Sequence, residues 1–408
     1  MIDRKLTNWL HSYMDYTDNS EPPKIFNVWV GLSTIAAALR RKCYLQWEKE
    51  IFPNMYVVLT APSGKCRKGT AMGSAGSLLR DLGIQMSAES ITREALIRLM
   101  QECTDNTIDP KTQKPMHHSS LTIFSKELTV FIGYDNKQLL SDLTDWFDCD
   151  IEWKYVTKNA GKDFIHGVWV NLIGATTPEL LQKTLPPEAI SGGLTSRIIF
   201  VYADKKSKLV PLPQLTIKDR ELYTDLLVDL EKISMLTGEF IPTPDFLTRW
   251  VEWYTMHEKQ NDRGVGLFGD SRFAGYCERR GTHLRKMCML LSAARDDVLE
   301  ITADDFDVAL DLLLRTEKNM VKAFKGVGRS VVADIASDVV TTIKTRKEIP
   351  FSELLMIYQH DLTANTLDRE IIDSLCQMYF CERVVTTDGQ QKIVYTPEKY
   401  KARSGGTT

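Results

Sequence analysis

The chain has 408 residues, 43% of them hydrophobic and 26% charged, with a formal net charge of −3. That length and apolar content suffice for one large core or two to three ordinary ones. The balanced charge excludes binding of nucleic acid through bulk basicity, although cations can still gather on one surface. The eight cysteines (Cys43, Cys66, Cys103, Cys149, Cys277, Cys288, Cys376 and Cys381) contain no C-x-x-C pair, which argues against a zinc site or a disulfide framework and for a reducing cytosol. The first residues, "MIDRKLTNWLHSYMDYTDNSEPP", lack the basic-then-apolar order of a signal peptide, and no run approaches the roughly 20 apolar residues of a membrane span. The expectation is a soluble, cytoplasmic protein with no membrane partner.

In chain order, residues 2–16 carry Leu6, Trp9, Leu10, Tyr13 and Met14 at helical spacing. Residues 24–41 read as a second, mostly buried helix. "CYLQWE" and "NMYVVLTA" read as strands separated by Pro53. A glycine-containing turn follows, then a helix over 68–82. "TREALIRLMQEC" is an amphipathic helix with Thr92 as N-cap. Residues 104–118 are polar and read as a surface loop or hairpin. "SSLTIFSKEL" is a buried strand ending in an acid, and 136–148 a helix. "WKYVTKNAGKDFIHGVWVNLIGATTPELL" reads as a hairpin turning at Asn159–Gly161, its second arm one long strand ending at Gly174–Thr177, before a helix begun at Pro178. "SGGLTSRIIFVYADKK" supplies a loop and another strand. From 215 on strands vanish, and residues 215–237, 243–262, 271–295 and 302–324 show helical spacing. The last part reads helix, helix, helix and a hairpin at Asp388-Gly389, the winged-helix order, with "KARSGGTT" a frayed tail.

The turn after "YVVLT" is the chemically informative stretch. Strand, glycine turn and helix aim backbone N–H groups and a helix N-terminus at an anion. A lysine then neutralises the outer phosphates, and a hydroxyl holds Mg²⁺. Two registers compete in "APSGKCRKGT". One uses Gly64-Lys65 and puts Cys66 where the hydroxyl belongs. The other takes Ala61 to Gly64 as the turn, Lys68 as the phosphate lysine and Thr70 as the metal hydroxyl, with Gly69 between; it is preferred because it keeps a hydroxyl. Ser63, Gly64, Lys65, Lys68, Gly69 and Thr70 are therefore the candidate ATP-binding residues. The competing reading is a basic strand–helix turn with no ligand.

A P-loop ATPase also needs a strand ending in a carboxylate. "LTIFSKE" offers Glu127 as the activating base, with metal contact through water; Ser125 stands where the usual Asp would be. The plain alternative is a surface glutamate after a core strand. A polar group near the outermost phosphate is expected from Thr176 or Thr177, while Asn171, in mid-strand, reads as structural.

The series "EPPKIFNVWVGLSTIAAALRRK", "FPNMYVVLTAPSGKCRKGTAM", "SKELTVFIG", "VNLIGATTPELL" and "GGLTSRIIFVYADK" resembles the primase-associated, helicase-like P-loop ATPases of bacteriophages and mobile elements, over residues 20–325. The resemblance implies an α/β RecA/AAA+-like P-loop NTPase core, ring oligomers and action on DNA. Ala61 in place of a glycine and Ser125 in place of an Asp depart from the pattern, and bear on hydrolysis more than on nucleotide binding. Ring ATPases complete each site with an arginine from a neighbouring subunit; Arg197 is the candidate, against a surface arginine paired with an acid. The helix holding Arg279, Arg280, Arg285 and Lys286 reads either as a lid carrying a sensor arginine or as a solvated basic face.

For single-stranded DNA, Lys154, Lys158 and Lys162 on the 151–166 hairpin are the best candidates, with Trp153 or Tyr155 stacking on bases; Lys205, Lys206 and Lys208 are a second basic stretch. The alternative is an ordinary exposed hairpin. The helix "TLDREIIDSLCQMYF" is more acidic than basic, unlike a DNA reader, and suits a partner protein, such as a primase, or a ring neighbour. The expected organisation is an N-terminal helical region (1–50), an ATPase core (51–212), a helical lid (213–328), a winged helix (329–400) and a tail (401–408). The expected function is an ATP-dependent DNA motor, a replicative helicase of a phage or mobile element using ATP and Mg²⁺. The alternatives are a nucleotide-binding loader or scaffold, and a nucleotide-independent DNA-binding protein.

Overall fold

The computed structural model describes residues 4–133, 136–157, 161–185, 193–214, 216–262, 273–324, 331–359, 362–386 and 389–397. Two compact units divide the chain, Met1–Phe324 and Lys325–Thr408.

The first unit is built on a five-stranded sheet. Its strands are β3 (Tyr56–Thr60), β4 (Thr104–Ile108), β5 (Pro115–Ser125), β8 (Val168–Thr176) and β9 (Ile198–Tyr202), in the spatial order β4-β5-β8-β3-β9. β5, β8, β3 and β9 are mutually parallel, and β4 is antiparallel to β5. The parallel strands read as continuous apolar runs because helices cover both faces: all five residues of β3 and all nine of β8 are buried. Beside β5, Met86 pairs in parallel with Thr122. The helix α2 (Lys24–Leu39) packs against β3 and β8, and α3 (Lys68–Asp81) packs against α2. The helices α4 (Arg93–Glu102), α5 (Leu128–Ile132), α6 (Lys137–Phe147) and α7 (Pro178–Thr184) fill the crossovers. Thr92 caps α4 by accepting from Ala95 N at 3.3 Å. The first helix, α1 (Trp9–Asp18), packs on α2.

The hairpin of β6 (Glu152–Thr157) and β7 (Gly161–His166) precedes β8. Sequence runs its second arm unbroken into the core strand, but the structure breaks it at Gly167. There φ is +58°, and a Cβ would lie 2.2 Å from the carbonyl oxygen of His117, so no side chain fits and the hairpin leaves the sheet.

A second, four-stranded sheet has the order β11-β10-β1-β2, from β1 (Cys43–Gln46), β2 (Glu50–Ile51), β10 (Gly238–Pro242) and β11 (Glu300–Ile301). Two of these strands fall where spacing predicts helices alone. β10 is five residues long and joins β1 through a parallel ladder, Cys43 opposite Gly238. A partner so distant in sequence leaves no local period to read. The helices of this half are α8 (Ile217–Met235), α9 (Pro244–Asp262), α10 (Ala274–Arg295) and α11 (Ala303–Met320); α10 packs on β11 and β2, α11 on α10 and β9, and α8 on α1 and α2.

The second unit runs α12 (Val331–Arg346), β12 (Glu348–Pro350), α13 (Phe351–Tyr358), a helical stretch over Thr366–Ile372 continued by α14 (Asp373–Gln377), then β13 (Cys381–Val385) and β14 (Gln391–Tyr395). Its strands form an antiparallel sheet in the order β12-β14-β13. Ile343, Ile349, Leu354, Leu367, Ile372 and Ile393 make its core. The acidity of the third helical segment is partly internal: Arg383 on β13 donates to Asp368 at 2.6 Å and to Asp373 at 2.5 Å.

No described helix is long and apolar enough to cross a membrane.

Candidate functional site

Three strand ends and one helix start converge at the C-terminal edge of the central sheet. Thr60 lies opposite Thr176 on one side and Tyr202 on the other. Ser125 lies opposite Gly174, so two residues further on Glu127 comes level with Thr176. Neighbouring strands are about 4.8 Å apart, which brings Thr176 between the loop after β3 and Glu127.

The loop itself is the segment Ala61–Arg67, between β3 and α3. Ala61 N donates to Thr176 O at 3.4 Å, Gly64 turns the chain at φ +71°, and Arg67 enters the helix at φ +50°. The left-handed region favours glycine, and an arginine there is tethered: Arg67 Nε donates to Glu21 at 2.8 Å. The carboxylate of Glu21 also accepts from Lys206 Nζ at 2.9 Å. Those bonds, that from Lys206 first, hold the Glu21 carboxyl down to about 2. Glu21 thus ties the α1–α2 connection to the loop and to the segment after β9.

Lys68 is the first residue of α3, half-buried, and its ammonium donates to Ala61 O at 2.9 Å, beneath the loop. Lys65, by contrast, is exposed at the loop tip. Cys66 turns inward against Ala203 O at 3.5 Å and does not occupy a hydroxyl position. The structure therefore brings Lys68, not Lys65, under the turn. Ser63, Gly64, Gly69 and Thr70 are exposed around it. Among the described residues the main-chain amides of Gly64, Cys66, Lys68 and Gly69 have no acceptor; open amides at a helix start are suited to an anion.

Charges around Lys68 are arranged for pairing. Burial lowers its pKa from the ordinary lysine value, while Glu127, Cys66 and Glu179 pull the other way. Glu127 is exposed at the start of α5, and Glu179 is exposed in the first turn of α7, which Thr177 caps through Leu180 N at 3.3 Å. Glu179 is the residue that sequence reasoning misses; an acid in a capped first turn reads simply as a complement to the helix dipole. Thr176 is fully buried. Among the described residues the buried hydroxyls of Thr60 and Ser125, at two of the strand ends, have no hydrogen-bond partner. Asn171 is structural: it accepts from Met55 N at 3.0 Å and donates to Ser33 O at 3.1 Å.

Arg197 does not join this cluster within one chain. It precedes β9, whose first residue pairs with Tyr56 at the opposite edge of the sheet. There it is 7% exposed, ion-paired with Asp148, and donates to Gly193 O at 2.8 Å. The basic residues of α10 also depart from expectation, for they do not form a solvated face. Arg280 is 2% exposed and grips Glu317 at 2.7 and 2.9 Å. Lys286 is buried against Asn54, and Arg279 reaches Asp148 at 3.5 Å. Helical spacing shows two faces but not that both are covered; here Arg280 finds a carboxylate on another element, while Lys286 meets the neutral Asn54 amide.

On the hairpin, Lys154 pairs with Glu152 at 2.9 Å and lies over the Phe164 ring. Lys162 is on β7 opposite Val156, its side chain outside the described part, and Lys158 lies outside the described residues. The stacking rings serve their own chain. Trp153 meets Trp146 edge-on, and Tyr155 lies against Trp153 and under Arg93, which is fixed to Asp142 at 2.6 Å. Lys206 and Lys208 pair with Glu21 and Asp18.

No protein-family model matches the chain, and neither does any curated protein.

Proposed function

We propose that the chain is an ATP-dependent motor on DNA, a P-loop ATPase of the RecA/AAA+-like kind. The observation that carries the reading is the position of Lys68: first in its helix, folded under a turn with open amides, and facing Glu127 across the end of β8. Ser63, Gly64, Lys68 and Gly69 would hold the phosphates of ATP, and Thr70 with Glu127 would hold Mg²⁺. The bound nucleotide would supply a phosphoryl group whose transfer to water develops negative charge, with the metal as counter-charge.

The chain's own groups have distinct parts. The amides after Gly64 and the Lys68 ammonium bind and orient phosphate oxygens. A ligand oxygen would replace Ala61 O as the acceptor for Lys68. Glu127, exposed at the same edge, orients water and accepts its proton. Thr176 lies buried at the strand end between them, its hydroxyl donating to Thr177 O at 3.4 Å. The lysine-bearing hairpin is the proposed DNA contact, and the order of the second unit, helix, strand, helix, helix, hairpin, supports a winged helix.

A second reading, a nucleotide-binding loader or scaffold, draws on the pairing of Arg197 with Asp148, which leaves no exposed guanidinium at that position to complete a neighbour's site. Steady-state ATP turnover, with and without single-stranded DNA, separates the two. A motor turns over ATP faster with DNA and loses this with Lys68→Ala but not with Lys65→Ala. A scaffold binds nucleotide through Lys68 without DNA-stimulated turnover. Turnover indifferent to Lys68→Ala would defeat the site.

A further inference from the structure

At the other edge of the sheet lies a pocket of about 390 Å³, between the β1–β2 turn, the segment after α6 and one face of α10. Its inner wall carries Arg279, Arg285 and Lys286, while the acids that face it, Glu48, Glu50, Asp148 and Asp150, are exposed. Lys286 is 3% exposed, bonded to Asn54 Oδ1 and set 4.3 Å above the Phe147 ring. Arg285 lies between Trp47 and Trp250, 5.0 Å from each ring centre, and donates to Gly281 O at 3.1 Å. Among the described residues neither has a carboxylate within ion-pair distance. Arg279 reaches Asp148 at 3.5 Å, which Arg197 already engages. One carboxylate therefore serves Arg197 and Arg279, with Lys286 near it. The remaining acids facing the pocket, Glu48, Glu50 and Asp150, are exposed rim groups with Lys49 among them, where water screens them.

Burial lowers Lys286 to about 8 and Arg285 to about 10, the signature of cations held in a dry place without full compensation. An unpaired buried charge is costly, and a doubly charged anion able to accept from guanidinium and ammonium donors together relieves it.

We propose that this pocket is a second anion site, separate from the Lys68 loop, taking a phosphate-class group on Arg279 and Lys286 with the Thr282 hydroxyl beside them. Asp148 is the internal counter-ion with which the anion competes. The same chemistry has two sources: a free polyphosphate, or the phosphates of a nucleotide carried by a second copy of the chain.

The test uses the full chain in two arms. In the first, a Lys68→Ala chain, whose loop is disabled, is titrated with inorganic pyrophosphate by calorimetry. Uptake is expected to weaken about tenfold or more when Arg279→Ala is added, and to tighten with Asp148→Asn, which removes the competitor. A merely structural Asp148 would give the reverse. In the second arm, sedimentation follows the unmodified chain with a non-hydrolysable ATP analogue; association lost on Arg279→Ala assigns the phosphate to a second copy. Arg279 is partly exposed, so its variant is not expected to unfold. No pyrophosphate uptake in the first arm, together with association indifferent to Arg279→Ala in the second, would overturn the proposal. Because the first arm carries no working loop, its outcome is independent of the proposed nucleotide site.

Discussion

The two edges of the central sheet solve opposite problems. At the C-terminal edge the polar groups are exposed acids and main-chain amides that have no acceptor among the described residues, gathered round one half-buried lysine. At the other edge the polar groups are long cationic side chains drawn into the interior, where Arg280, Arg197 and Lys286 are each less than a tenth exposed. The first edge keeps its donors open by backbone geometry and costs little stability. The second holds charge by enclosing it and depends on every partner remaining in place. Substitutions should therefore act on chemistry at one edge and on folding at the other.

The largest effect is expected at the enclosed edge. Glu317→Ala leaves Arg280 without its carboxylate inside the protein and should cost about 3–5 kcal/mol in urea unfolding. A loss below about 1 kcal/mol would break the contrast. Lys68→Ala comes next: it should lower ATP turnover about 10²–10³-fold and leave the unfolding midpoint nearly unchanged. The pH dependence has a defined sign. The Lys68 ammonium loses its proton at a pH below the ordinary 10.5, so nucleotide affinity should fall as pH rises towards that lowered value, and Lys68→Arg should push the fall upward because a guanidinium stays charged.

Smaller effects sharpen the comparison. Glu21 has its carboxyl held at about 2 against an ordinary 4.5. Its tether to Arg67 is fully present above 4.5 and is lost as pH falls from there towards 2. Hydrogen-exchange protection, corrected for the intrinsic pH dependence, should fall over that window at the amides of Thr70 and Ala71, which donate to Arg67 O at 3.0 and 3.1 Å, and Glu21→Gln should lower it at neutral pH. The smallest expected stability change is at Lys154, exposed on the hairpin: Lys154→Ala should stay within about 0.5 kcal/mol. On the proposed function, it should also reduce the salt slope of single-stranded DNA binding by about 0.7.

What sequence could reveal follows from range. The turn, Lys68 at the helix start and Glu127 two residues past a buried strand are local patterns, and the structure brings them to one edge. The tether of Arg67 to Glu21 spans 46 residues and has no local signature. The left-handed arginine it holds looks, in sequence, like any basic turn residue. Helical spacing on α10 shows charged positions opposite Leu284, Met287 and Leu291, but burial of the charged side depends on Glu317, Asn54 and Trp47 from elsewhere. The break at Gly167 is invisible for the same reason: it is set by the His117 carbonyl of a neighbouring strand.

The inward turn of Cys66 has a practical consequence. Its thiol is raised above the ordinary value, chiefly by burial, and is bonded to Ala203 O, so little of it is thiolate and access is poor. Alkylating reagents should therefore spare this bend even though a cysteine lies within it. A reporter dye placed through Ser63→Cys, on the exposed side, would sense the arrival of a ligand with little interference from the native thiol.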